Sequence, residues 1–174
     1  MRIPLSSLAL ASLCLAGVAQ AHGPSRQKVI ETIAIDAPAD AVWQRLQHFN
    51  DMSWHPAVER VSATDGDTVG SIRTITLKGG GTIIESLEKY DAAARQYAYR
   101  MKDPGPVPVN NYTSTIHVTA TGDRTSQVEW RGAFYRAFLN NDPPADQNDE
   151  AAVKAVTGIY KSGLDALKHA VEEH

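Results

Sequence analysis

The end of the chain constrains the rest of it most. Ala152, Val156, Ile159, Tyr160, Gly163, Leu167 and Val171 recur at helical spacing, which draws one apolar stripe along one side of an α-helix. Lys154, Lys161, Asp165, Lys168 and Glu172 fall largely off the stripe. A helix of twenty-odd residues rising about 1.5 Å per residue runs roughly 30–35 Å, enough to cross a small domain. Asn148 or Asp149 supplies a cap for it, and Glu150 suits its first turn. A single apolar face of that length must be buried, and what precedes it dictates against what.

That preceding stretch is a series of short strand-like runs. Val58 to Ala63, Ser71 to Leu77, Thr82 to Tyr90, Gln96 to Lys102, Tyr112 to Thr121 and Ser126 to Tyr135 are separated by turn residues such as Asp65-Gly66-Asp67 and Gly79-Gly80-Gly81. Close spacing with short turns predicts an antiparallel meander. One further strand, Lys28 to Ile35, stands ahead of it. Between them, Asp36-Ala37-Pro38 opens a helix carrying Ala39, Val42, Trp43, Leu46 and Phe49 on one face. Met52 to His55 is expected to add one more turn before Pro56. The fold class is therefore α+β. About seven antiparallel strands curve around a long C-terminal helix, with one or two short helices after the first strand.

Residues 1–21 read as an address. Arg2 precedes an apolar stretch from Ile3 to Val18, too short for a membrane span of about 20 apolar residues. Ala19-Gln20-Ala21 then offers a small-x-small cleavage pattern. Cleavage after Ala21 leaves residues 22–174 as one domain of about 150 residues, a size that buries roughly 68–70% of its unfolded surface. The expected location is the periplasm, with no membrane contact after cleavage. Cys14 is the only cysteine and lies in the segment to be removed, so no disulfide or thiolate metal site is expected. The full chain carries 17 Lys and Arg against 20 Asp and Glu with no basic run, which argues against nucleic-acid binding.

The order of strand, short helix, meander and long helix resembles the helix-grip superfamily of polyketide cyclase/dehydrase, START-like and plant-allergen proteins, the SRPBCC group. Ile35-Asp-Ala-Pro-Ala-Asp-Ala-Val-Trp43 resembles its opening motif. Longer strings are similar to the MxaD-type accessory proteins of bacterial methanol oxidation. They are His22-Gly-Pro24, Trp54-His-Pro-Ala-Val58, Leu77-Lys-Gly-Gly-Gly81, Asn111-Tyr-Thr-Ser-Thr115, Tyr135-Arg136, Asn140-Asn-Asp-Pro-Pro144 and Asp149 through Leu164. The narrower resemblance implies an exported protein without a cofactor. It also implies a role in assisting electron transfer from methanol dehydrogenase to its c-type cytochrome.

Such a fold leaves room for a cavity between sheet and helix. By alternation, Arg73, Ile75 and Leu77 share one strand face, and Ile83, Glu85 and Leu87 share a face of the next. Their apolar neighbours point both faces inward, so Arg73 and Glu85 are expected in the same interior. They either anchor a polar ligand group or satisfy each other. Tyr99, Tyr112, Trp130 and Tyr160 are further candidates for the cavity wall, or else plain core. Trp54 and His55 follow the first helix, where this fold usually opens. His55 could serve a ligand or as an acid or base, or simply hold its own loop.

Asp142, Asp146, Asp149 and Glu150 form an acidic rim suited to docking a basic partner such as a periplasmic dehydrogenase or c-type cytochrome. The spacing of His22, His48, His55 and His117 brings no metal site together. No nucleophile elbow or metalloprotease motif is present. No residue pair has fixed catalytic geometry, and the expected role is a non-enzymatic accessory protein. A carrier of an apolar or aromatic molecule, or a cyclase-like enzyme using His55, Arg73, Glu85 or Tyr99, is the alternative.

Overall fold

The structure is a computed structural model that describes residues 23–173. The leader reading of residues 1–21, and His22, lie outside the described residues. The elements run β1 (Gln27–Ile35), α1 (Ala39–Leu46), β2 (Val58–Ala63), β3 (Ile72–Leu77), β4 (Thr82–Asp91), β5 (Gln96–Asp103), β6 (Val109–Gly122), β7 (Thr125–Arg136) and α2 (Asp149–Glu172). The seven strands form one antiparallel sheet in the order β1-β7-β6-β5-β4-β3-β2. Only one short helix follows β1. Residues 47–57 make turns, closed by His55 N–H donating to Met52 O and Val58 N–H to His55 O, and Pro56 prevents a helical continuation.

Alternation sets which side chains enter the core. Val29 and Ile35 on β1, Tyr97 and Tyr99 on β5, and Val128, Trp130 and Phe134 on β7 are buried, while Ile30 faces out. β6 breaks the rule near its start. Asn111 adopts φ 48°, and the pairing with β7 shifts register between Asn110 and Thr113. A bulge of this kind places two successive residues outward and returns the next one inward. Asn110 and Asn111 are exposed and Tyr112 is buried, so the bulge aims Tyr112 at the core.

Helix α2 lies across the sheet and buries Ala152, Val156, Tyr160, Gly163, Leu164 and Leu167. Its start is capped by Asn148, whose side-chain oxygen accepts from Ala151 N–H at 2.8 Å. Its end is tied to β1: Lys168 donates to Ala34 O at 2.9 Å, and Glu172 accepts from Asp36 N–H at 2.7 Å. Two glycines let the layers meet. A Cβ on Gly132 would fall 2.2 Å from the Tyr160 hydroxyl, and one on Gly163 would fall 2.6 Å from His55 Cδ2 and 3.0 Å from Trp130 Cζ3.

Candidate functional site: a cavity between the sheet and the long helix

Between α2 and the inner face of β3 to β7, the layers leave a cavity of about 110 Å³. Met52, Val58, Ile75, Ile83, Val107 and Val156 contribute apolar wall. The polar side chains on the wall are His55, Glu85, Tyr99, Tyr112, Trp130 and Tyr160. Six of the eight residues expected at a cavity thus come together. The other two stand behind it. Trp54 packs edge-on against Trp130 and His55, with its indole N–H buried and without an acceptor among the described residues. Arg73 lies beneath Glu85.

The Arg73–Glu85 pair follows directly from register, since the two residues are cross-strand partners on β3 and β4. Arg73 is completely buried. Its Nε donates to Glu85 Oε2 at 2.7 Å, and Nη2 makes ion-pair contact with the same oxygen at 2.6 Å, off the hydrogen-bond direction. Nη1 donates to Phe49 O at 3.1 Å. The guanidinium lies 4.2 Å from the Phe49 ring centre and 4.8 Å from that of Tyr99, where the ring faces attract it. Burial pulls the Arg73 pKa down, but the Glu85 charge and the nearby tyrosines outweigh it, and the net shift is upward. For Glu85, burial pushes the carboxyl above its usual range and Arg73 opposes this only in part. A neutralised pair in this position is strongly oriented and expensive to break.

His55 is held at both ring nitrogens. Nε2 donates to Ile159 O on α2 at 3.1 Å, and Nδ1 accepts from Ala57 N–H at 3.2 Å. These partners select the neutral tautomer with the proton on Nε2. Desolvation lowers its pKa below 6.5, against the smaller opposing effect of the Ile159 carbonyl. The ring therefore joins the loop after α1 to the long helix and has no nitrogen left for a ligand.

The aromatic side chains form a second network centred on Ser114. Its hydroxyl donates to Arg131 O at 2.8 Å, so it accepts from Tyr160 Oη at 3.0 Å and from Trp130 Nε1 at 3.0 Å. Tyr160 has spent its proton on Ser114, so in the 2.5 Å contact between Tyr112 and Tyr160 the donor is Tyr112. Trp130 Nε1 also reaches Tyr99 Oη at 3.0 Å, and the Trp130 and Tyr160 rings stack at 4.3 Å. Burial raises the pKa of Tyr99, Tyr112 and Tyr160, so all three are neutral donors at physiological pH. Ser114 is the hub that sequence reading passed over. It occupies an inward position of β6 between Tyr112 and Ile116, and a polar residue on an otherwise apolar face was the available signal.

The acidic rim is divided. Asp142, Asp146 and Glu150 are exposed. Asp149 is engaged in the fold, accepting from Ser25 Oγ at 3.0 Å and from Arg136 Nη1 at 3.3 Å. Among the described residues no three His, Cys, Asp or Glu side chains gather as metal ligands, and His48 pairs instead with Asp67 at 3.0 Å.

Over residues 26–172 the sequence matches the family described as polyketide cyclase / dehydrase and lipid transport. An uncharacterized protein from Bacillus thuringiensis is similar in structure with a TM-score of 0.73 and 35% identity, over 83% of this chain and 98% of that one. The protein XoxI from Bacillus cereus is similar with a TM-score of 0.72 and 34% identity, over 84% and 98% of the two chains. Norcoclaurine synthase from Thalictrum flavum shares the fold at 21% identity, with a TM-score of 0.63 over 88% and 98%. No curated protein is detectably similar in sequence.

Proposed function

The chain belongs to the polyketide cyclase / dehydrase and lipid transport family, and from that premise we propose that it is a non-enzymatic accessory protein that holds a small molecule in its cavity and docks onto a protein partner. One observation carries the reading. The cavity is apolar-walled, and most of the polar groups on it already bond to one another. His55 has both nitrogens engaged, and a group held this way is poorly placed to exchange protons with a substrate. Such a cavity retains a molecule without transforming it.

The setting we propose is the periplasm, in the manner of the MxaD-type proteins. There the chain would assist electron transfer between a dehydrogenase and its c-type cytochrome. Residues 1–21 have the pattern of a cleavable export signal. The exposed carboxylates of Asp142, Asp146 and Glu150 would steer a basic partner and raise its association rate at low ionic strength.

The test uses the protein beginning at His22 as bait in periplasmic extract, at low and at high salt. Salt-sensitive recovery of a dehydrogenase or c-type cytochrome, lost when Asp142, Asp146 and Glu150 are neutralised, is the expected result. Recovery that ignores both salt and these three residues would remove the docking reading. Native mass spectrometry of the same preparation reads the cavity: a retained small molecule supports carriage. Turnover of such a molecule would move the assignment to a cyclase-like enzyme.

A further inference from the structure

Two polar groups on the cavity wall keep unspent hydrogen-bonding capacity. Arg73 directs both Nε and Nη2 to Oε2 of Glu85, and Oε1 takes part in no hydrogen bond among the described residues. Tyr99 Oη accepts from Trp130 Nε1, yet its own proton is donated to nothing among the described residues. Glu85 is 3% exposed and Tyr99 2% exposed, and both line the cavity. Every other polar group on that wall is satisfied: His55 at both nitrogens, and Tyr112, Tyr160 and Trp130 through Ser114. Glu85 and Tyr99 stand on the neighbouring strands β4 and β5, so the capacity they retain marks where the polar group of a guest is best placed.

We infer that the cavity takes an uncharged hydroxyl compound, its O–H donating to Glu85 Oε1, its oxygen accepting from Tyr99, and its apolar remainder lying against the aliphatic wall. The inference rests on the reading of the cavity as a ligand site and names the class of ligand. Charge decides against the alternatives. Arg73 and Glu85 already neutralise each other, so an ammonium or a carboxylate would bring an uncompensated charge into a site walled mainly by apolar side chains. A hydrocarbon would leave both Glu85 Oε1 and the Tyr99 proton unpaired. Size sets the upper limit. An apolar cavity of about 150 Å³ holds benzene, and this one, at about 110 Å³, is a little smaller. Met52 and Met101 on its wall are unbranched and adjust readily, so the fit extends from short-chain alcohols to a single phenolic ring.

Phenol and toluene test this, because they differ only in a hydroxyl for a methyl. Each is titrated by calorimetry or NMR into the chain beginning at His22, and into its Y99F and E85Q forms. Y99F preserves the ring and leaves Trp130 its second acceptor, Ser114, so it keeps the test valid even if E85Q fails to fold. Phenol should bind about tenfold or more tighter than toluene, and Y99F, which removes one of its two bonds, should cut that preference by about threefold or more. If both bind the native protein equally, the hydroxyl inference falls and the ligand-cavity reading stands. If neither binds at millimolar concentration, both fall. A phenol preference undiminished in Y99F places the hydroxyl elsewhere and also overturns the inference.

Discussion

Replacing Gly163 with alanine separates helix propensity from packing, because Gly158 on the same helix provides the control. Glycine inside a helix is about 1 kcal/mol less favourable than alanine. A Cβ added at Gly158 meets nothing within 4 Å, so G158A should realise that gain. For a chain of this size the gain raises the melting temperature by about 2–4 °C. At Gly163 the same gain is opposed. The new Cβ falls 2.6 Å from His55 Cδ2, 3.0 Å from His55 Nε2 and 3.0 Å from Trp130 Cζ3. Neither ring yields freely, since His55 is bonded at both nitrogens and Trp130 stacks on Tyr160.

Overpacking of a well-filled core costs about 1–3 kcal/mol, and the His55–Ile159 bond is worth about 0.5–1.5 kcal/mol more. Set against the helix gain, G163A should be less stable than the native protein by about 0.5–3.5 kcal/mol, and less stable than G158A by about 1.5–4.5 kcal/mol. Urea unfolding followed by tryptophan fluorescence reads both variants. Equal stabilisation by G158A and G163A, with unchanged urea dependence, would refute the close approach of α2 to His55 on which the cavity geometry rests.

Three further outcomes follow from the same contacts. His55 is neutral in the folded protein with its pKa below 6.5, so its contribution is complete above that pH and is lost as pH falls through 6.5 toward the folded value, where the unfolded chain takes the proton first. Unfolding free energy should therefore drop between pH 7 and pH 5 more steeply in the native protein than in H55N, and parallel pH profiles would disprove this. R73M leaves Glu85 buried and unpaired and should cost about 3–5 kcal/mol, while R73M/E85L, which removes both charges, should recover most of the loss. A double variant no more stable than R73M in thermal denaturation would show that the pair is held by something other than mutual compensation. D149N should lower stability by about 1 kcal/mol through its bonds to Ser25 and Arg136, whereas D142N and D146N, exposed on the loop, should stay within about 0.5 kcal/mol of the native protein.

The architecture was legible in the sequence because it depends on periodicity. Alternating burial along β3, β4 and β7 and the stripe on α2 each follow from residue identity, and they place Arg73 and Glu85 in the same interior, while the register of β3 against β4 sets the two opposite each other. The departures arise where long-range geometry intervenes. Asn tolerates a positive φ more readily than most residues, but that tolerance does not by itself place a bulge at Asn111, and it is the bulge that turns Tyr112 inward. Asp149 reads as one more loop carboxylate until Ser25 and Arg136, distant in sequence, come within bonding distance. Trp54 and Arg73 satisfy every local expectation of a wall residue but stand behind the wall, since Trp130 and Glu85 occupy the space between.

The sequence by itself therefore determined the layers and the inward faces that carry Arg73 and Glu85, because these depend on patterns within one element. Only the tertiary structure decided which hydrogen-bonding capacity remains unspent. Whether Glu85 Oε1 and the Tyr99 proton are free depends on how Arg73, Trp130 and Ser114, brought from other strands, share their bonds. That allocation is a property of three-dimensional proximity, which no spacing along the chain encodes.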